Sequence, residues 1–82
     1  MNILKHPLQT EKSVKLMESN NIVTFIVDYK AEKPQIKKEF EETFKVKVLK
    51  VNTSIQSGKK KAYIKLSKEN PAIDIATQLG LM

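Results

Sequence analysis

Residues Val46 to Leu66, VKVLKVNTSIQSGKKKAYIKL, form two β-rich segments around a polar turn. In the first, Leu49, Val51, Thr53 and Ile55 alternate with Lys50, Asn52, Ser54 and Gln56, the period of a strand with one buried and one polar face. Val46 and Val48 stand in the opposite phase, so either the strand bulges near Leu49 or its first residues are buried on both faces. In the second, Ala62, Ile64 and Leu66 share one face and Lys61, Tyr63 and Lys65 the other. Gln56-Ser57-Gly58 and the run Lys59-Lys60-Lys61 join the two segments. Pairing them as a hairpin brings Lys50, Asn52, Lys61, Tyr63 and Lys65 to one outward surface beside the lysine turn. From Thr43 to Lys68 the chain carries eight lysines and no aspartate or glutamate.

The flanking sequence reads as a scaffold for this hairpin. Lys33-Pro34 opens a helix, because proline at the first helical position loses no useful hydrogen bond. Its apolar stripe is Ile36, Phe40, Thr43 and Phe44, with Lys37, Lys38, Glu39, Glu41 and Glu42 on a solvated side. Before it, Ile22–Val27 (IVTFIV) is apolar in both alternating sets, which predicts a central strand covered on both faces. Thr10 caps an earlier helix with Glu11 in its first turn, Leu8 and Val14 as a hydrophobic staple, and Val14 and Met17 buried. That helix ends at Ser19-Asn20-Asn21. Residues Asn2–Leu8 form an extended segment in which Pro7 allows an edge strand only. At the far end Asn70 caps and Pro71 opens a last helix, with Ala72, Ile75, Ala76 and Leu79 inward and Gly80 as terminator. The order predicts an α+β fold, a small and mostly antiparallel sheet of three or four strands covered by about three helices, as one domain over residues 1–82.

The composition narrows the function. The chain has 82 residues, no cysteine, and no apolar run near the ~18 residues of a membrane span, and its first residues lack the pattern of a signal peptide. A soluble cytosolic domain is the expectation. All fifteen basic residues are lysine and the formal charge is +6, which points to a polyanionic partner held through phosphates. Catalysis has little to work with: a single histidine, His6, between Lys5 and Pro7, no arginine, and neither Gly58 nor Gly80 in a phosphate-cradling loop. No metal, cofactor or small-molecule substrate is implied, and the chain does not read as an enzyme.

A binding surface suits these residues better. Lys47, Lys50, Lys59, Lys60, Lys61 and Lys65 can neutralise phosphates, and Asn52 and Thr53 add short hydrogen-bonding groups. Tyr63 can stack on a base or lie against a ribose, or else pack lysine stems as a half-buried strand residue. One aromatic is too few for a platform that reads single strands, so the pattern favours folded RNA read by shape. The alternative is a basic interaction module that binds an acidic protein or adds a strand to a partner.

Three strings, HPLQTEKS (His6–Ser13), KPQIKKEFEETFKVKVLKVNT (Lys33–Thr53) and GKKKAYIKL (Gly58–Leu66), together resemble large-subunit ribosomal protein family number twenty-three, the universal protein at the rim of the polypeptide exit tunnel. The resemblance implies a small α+β fold that binds large-subunit rRNA, in the cytoplasm, beside neighbouring ribosomal proteins. It also implies a share in the platform where nascent chains meet signal recognition particle and other factors. By position it puts Val51, Asn52 and Thr53, and Lys60, Lys61, Ala62 and Tyr63, at the rRNA contact. A second set, His6, Thr10 and Lys12, joins them from the HPLQTEKS string, and Glu11 takes the exposed acidic position used by exit-site factors. Bacterial members carry a longer basic hairpin, whereas about five residues separate the strands here, which argues against tunnel lining. The compact form looks archaeal.

Overall fold

The computed structural model describes residues 3–80, which form four strands and three helices. These are β1 (Leu4–Pro7), α1 (Glu11–Asn20), β2 (Ile22–Val27), α2 (Lys33–Phe44), β3 (Val48–Gln56), β4 (Lys59–Leu66) and α3 (Ala72–Gln78). The strands make one sheet in the order β1-β2-β4-β3, with every neighbouring pair antiparallel. This is the predicted α+β architecture, and the extended N-terminal segment is an edge strand, as Pro7 requires. Asn2, the first residue assigned to that segment, lies outside the described residues.

Period-two alternation sorts the sheet into two faces. Val23, Phe25 and Val27 of β2 line up with Ala62, Ile64 and Leu66 of β4 and with Val48 and Val51 of β3, and all are buried. Ile36 and Phe40 of α2, Met17 of α1, and Ala72, Ile75 and Ala76 of α3 belong to the same hydrophobic cluster. Phe25 and Phe40 meet edge to face, ring centroids 5.7 Å apart at 82°, and Phe44 tilts against both. The α2 stripe is narrower than its spacing suggests, since Thr43 is exposed.

The bulge near Leu49 is present. The register of β3 slips between Val48 and Lys50, so Val48 enters the core and Leu49 is left 54% exposed. Ile55, also expected inside, is 52% exposed, because it pairs with Lys60 on the edge strand and close to the turn. In α1 the buried residues are Ser13 and Met17, with Val14 half-buried. Ser13 accounts for the difference. Its Oγ donates to the carbonyls of Leu8 and Thr10 and accepts from the Thr10 N–H at 2.8 Å, while Thr10 Oγ1 accepts from the Ser13 N–H. This reciprocal cap turns Ser13 inward.

Asn21 ties the far ends of the chain together. It terminates α1 in the left-handed conformation, φ 58° and ψ 40°. Its Nδ2 donates to the carbonyls of Leu66, Ser67 and Asn70, and its Oδ1 accepts from the Ala72 N–H at 2.6 Å. The first N–H of α3 is therefore capped by a residue 51 positions earlier in the chain. Asn70, expected as that cap, instead accepts from the Lys47 N–H at 2.9 Å, and Pro71 holds the N-cap position with no side-chain bond.

Replacing Asn21 by Ala removes these bonds and places a Cβ-bearing residue with no local compensation in a left-handed conformation. At ~1 kcal/mol for each of the four hydrogen bonds plus about 1 kcal/mol of backbone cost, urea unfolding of Asn21→Ala should show a loss of about 5 kcal/mol. Asn21→Gly is expected to recover only the backbone share, about 1 kcal/mol.

Candidate nucleic-acid interface

The hairpin turn is shorter than the sequence implied. Only Ser57 and Gly58 lie between β3 and β4, both at positive φ (52° and 75°), as a two-residue hairpin turn with matching twist demands. Lys59, Lys60 and Lys61 are therefore the first three residues of β4 and not part of a loop. Alternation then sends them to different faces. Lys59 and Lys61 share the face away from α2 with Tyr63 and Lys65, whereas Lys60 pairs with Val27 and Ile55 on the α2 side. Its Nζ donates to the Ala31 carbonyl at 2.6 Å.

The outer face is built in cross-strand pairs. Gln56 stands opposite Lys59, Ser54 opposite Lys61, Asn52 opposite Tyr63, and Lys50 opposite Lys65. On β2, Ile26 faces Lys61, Thr24 faces Tyr63 and Ile22 faces Lys65, and His6 of β1 pairs with Ile26. None of the nine carboxylates lies in any strand. Lys61 Nζ donates to Gln56 Oε1 at 2.9 Å, a neutral partner that leaves its charge uncompensated. Lys50 and Lys65 are like charges directly opposite one another, an arrangement that costs stability in the isolated sheet. An anion lying across the pair would offset that cost.

Most of the sequence-predicted residues come together here. Lys50, Asn52, Lys59, Lys61, Tyr63 and Lys65 share the outer face, with Lys61 and Tyr63 half-buried and the others exposed. His6 reaches the same face from β1 and is exposed. Thr10 and Lys12, at the start of α1, border a small notch that Lys61 and Tyr63 also line. The HPLQTEKS and hairpin strings, 50 residues apart, thus meet on one surface. Three residues stand elsewhere. Thr53 pairs with Ala62 and points to the α2 side, Lys60 does the same, and exposed Lys47 precedes β3. Glu11 is 90% exposed in its side chain, with only a 4.0 Å contact to Lys15. Such an exposed pair contributes little.

Thr24 was missed by the sequence reading. It sits in the apolar run IVTFIV, where nothing local marks it; only the register with β4 reveals that it stands beside Tyr63. Ser54 and Gln56 carried a signal, since they alternate with the buried set. No helix among the described residues is long and apolar enough to cross a membrane.

Comparison with known proteins gives two findings. The family model of Ribosomal protein L23 matches residues 2–75. The Large ribosomal subunit protein uL23 of Trypanosoma brucei brucei is 48% identical over 81 residues, which is 98% of this chain and 49% of that protein. The chain therefore spans about half the length of this curated relative.

The placement of Lys60 has a measurable consequence. Lys60→Met keeps most of the apolar stem and removes the bond to Ala31, so it should lower stability by about 1 kcal/mol in denaturant titration. Lys59→Met, one residue away on the exposed face, should leave stability within about 0.5 kcal/mol of the wild type.

Proposed function

The chain belongs to the Ribosomal protein L23 family, and from that premise we propose that it is a structural, non-catalytic constituent of the large ribosomal subunit whose outer sheet face rests on large-subunit rRNA. It works in the cytoplasm, among neighbouring large-subunit proteins. The observation that carries this reading is the set of carboxylate-free strands on which Lys50 and Lys65 stand directly opposed, with Lys59 and Lys61 alongside. A sheet that serves only itself would place opposite charges across such a pair. Phosphates supply the missing anions, and each lysine that meets one releases counterions. Asn52 and Tyr63, paired at the centre of the face, offer an amide and a flat amphipathic ring to ribose and base. The flat, rigid sheet suits helical or folded RNA.

The same premise gives Glu11 a role at the nascent-chain exit site. Its carboxylate is free to meet a basic surface of signal recognition particle or another exit-site factor, because the exposed contact to Lys15 barely holds it.

Binding of the chain to large-subunit rRNA should weaken steeply with salt. In the variant Lys50→Gln, Lys61→Gln, Lys65→Gln the slope of log affinity against log salt should fall in magnitude by about 2 to 3, from 0.7 to 0.9 per phosphate contact. An unchanged slope would remove this face from the phosphate backbone. Ribosomes carrying Glu11→Ala should bind signal recognition particle several-fold more weakly than wild type, and equal affinity would withdraw the docking role.

A further inference from the structure

The two edges of the sheet are finished differently. β1 has four residues, contains Pro7 and breaks register between Leu4 and His6, so short length, proline and a bulge all blunt that edge. β3 ends the sheet on the other side, and its one irregularity is the slip between Val48 and Lys50. Glu41 takes the Val48 N–H there and closes that end of the strand. Over residues 50–56 the pairing with β4 is regular, and the segment has no proline and no carboxylate. In an antiparallel ladder every second residue turns its N–H and C=O away from its partner. Among the described residues no side chain or loop bonds those outward groups of residues 50–56. Beside this open edge runs a groove of about 370 Å³ between β3 and the start of α2. Pro34, Leu49 and Val51 supply its apolar surface and Lys33, Lys37 and Lys50 its charge, with no carboxylate in the lining. All three lysines are exposed, and among the described residues none is in an ion pair.

We propose that the β3 edge takes an extended acidic segment of a partner protein as a fifth strand, with carboxylates against Lys33 and Lys37 and an apolar side chain on Leu49. The edge selects a peptide. Its outward groups alternate donor and acceptor, which another strand matches in full, whereas a phosphate backbone only accepts and would leave the outward carbonyls unpaired. The groove selects the sign of the partner. A second copy of this chain would bring Lys50 and the α2 lysines towards their own kind, with a formal charge of +6 on each molecule, so β3 does not pair with itself. Leu49, 54% exposed, is an apolar contact that a sugar-phosphate backbone would leave wet. Main-chain bonds along the edge supply affinity, and the groove reads every second side chain of the added strand. The surface lies outside the proposed rRNA face and shares only Lys50 with it.

The test pans the full chain against a library of displayed random peptides of about ten residues, enough to span the edge, and resynthesises those recovered. They should be acidic and free of proline, and their binding should slow amide exchange within residues 50–56. Lys33→Glu with Lys37→Glu should weaken them by about tenfold or more. Lys5→Glu with Lys15→Glu, which changes the net charge equally at exposed positions away from the groove, should weaken them less than about threefold. N-methylation of alternate peptide amides should abolish binding in one phase of the alternation and spare it in the other, because only one set of amides faces β3. Recovery of no such peptide would overturn the proposal, as would equal losses in the two charge variants or indifference to N-methylation in both phases. If no peptide is recovered and the α2 variant loses more rRNA affinity than the Lys5, Lys15 variant, the groove belongs to RNA. The peptide measurements need no RNA, so their failure leaves the rRNA reading standing.

Discussion

The register of one hairpin decides which charges this protein can present. Two residues, Ser57 and Gly58, both in left-handed conformations, lock β3 against β4 so that Gln56 faces Lys59 and every later pair follows in step. A slip by one residue would turn Ala62, Ile64 and Leu66 to solvent and bury Lys61, Tyr63 and Lys65 under the helices. The fully buried Ile64 and Ala62 make that slip prohibitive, so the core enforces the charge pattern. The bulge at Leu49 absorbs the remaining mismatch. It lets Val48 reach the core while Lys50 and Asn52 stay on the outer face.

Holding that sheet rigid is the work of the other half of the chain. The three phenylalanines cluster between β2 and α2, and Glu41 reaches from α2 to accept the Val48 N–H at 3.0 Å at the start of β3. Asn21 binds the ends of α1, β4 and α3 into one corner. The α2 packing lies behind the sheet, while α1 borders its front, where Thr10, Lys12 and Leu16 line a notch with Thr24, Lys61 and Tyr63. The acidic residues are on helices and loops, so the strands themselves carry lysine and no carboxylate. Strands fixed in this way would present their lysines to an anion without rearrangement, which limits the entropy cost of binding.

Local chemistry made much of this legible in the sequence. The proline at the start of α2, the threonine cap of α1 and the alternation around Val51 each act within a few residues, and each element they marked is present. What failed was non-local or depended on turn length. The lysine run looked like a loop because nothing in Lys59-Lys60-Lys61 distinguishes a turn from a strand; with a two-residue turn, Lys60 must face away from its neighbours. Asn52 and Thr53 were read together as surface groups, although adjacent residues in a strand point to opposite faces. The cap of α3 comes from Asn21, 51 residues earlier, and no spacing rule would find it. Thr24 stayed hidden for the same reason: its place beside Tyr63 exists only once β2 and β4 pair.

The central claim is that the sheet front, and not the helical back, meets RNA. Lysine acetylation of the chain alone and bound to large-subunit rRNA, read residue by residue by mass spectrometry, tests it directly. Strong protection of Lys50, Lys61 and Lys65, with Lys33, Lys37 and Lys38 of α2 as reactive as in the free protein, is the expected result. Protection of the α2 lysines with the three strand lysines still open to reagent would contradict it.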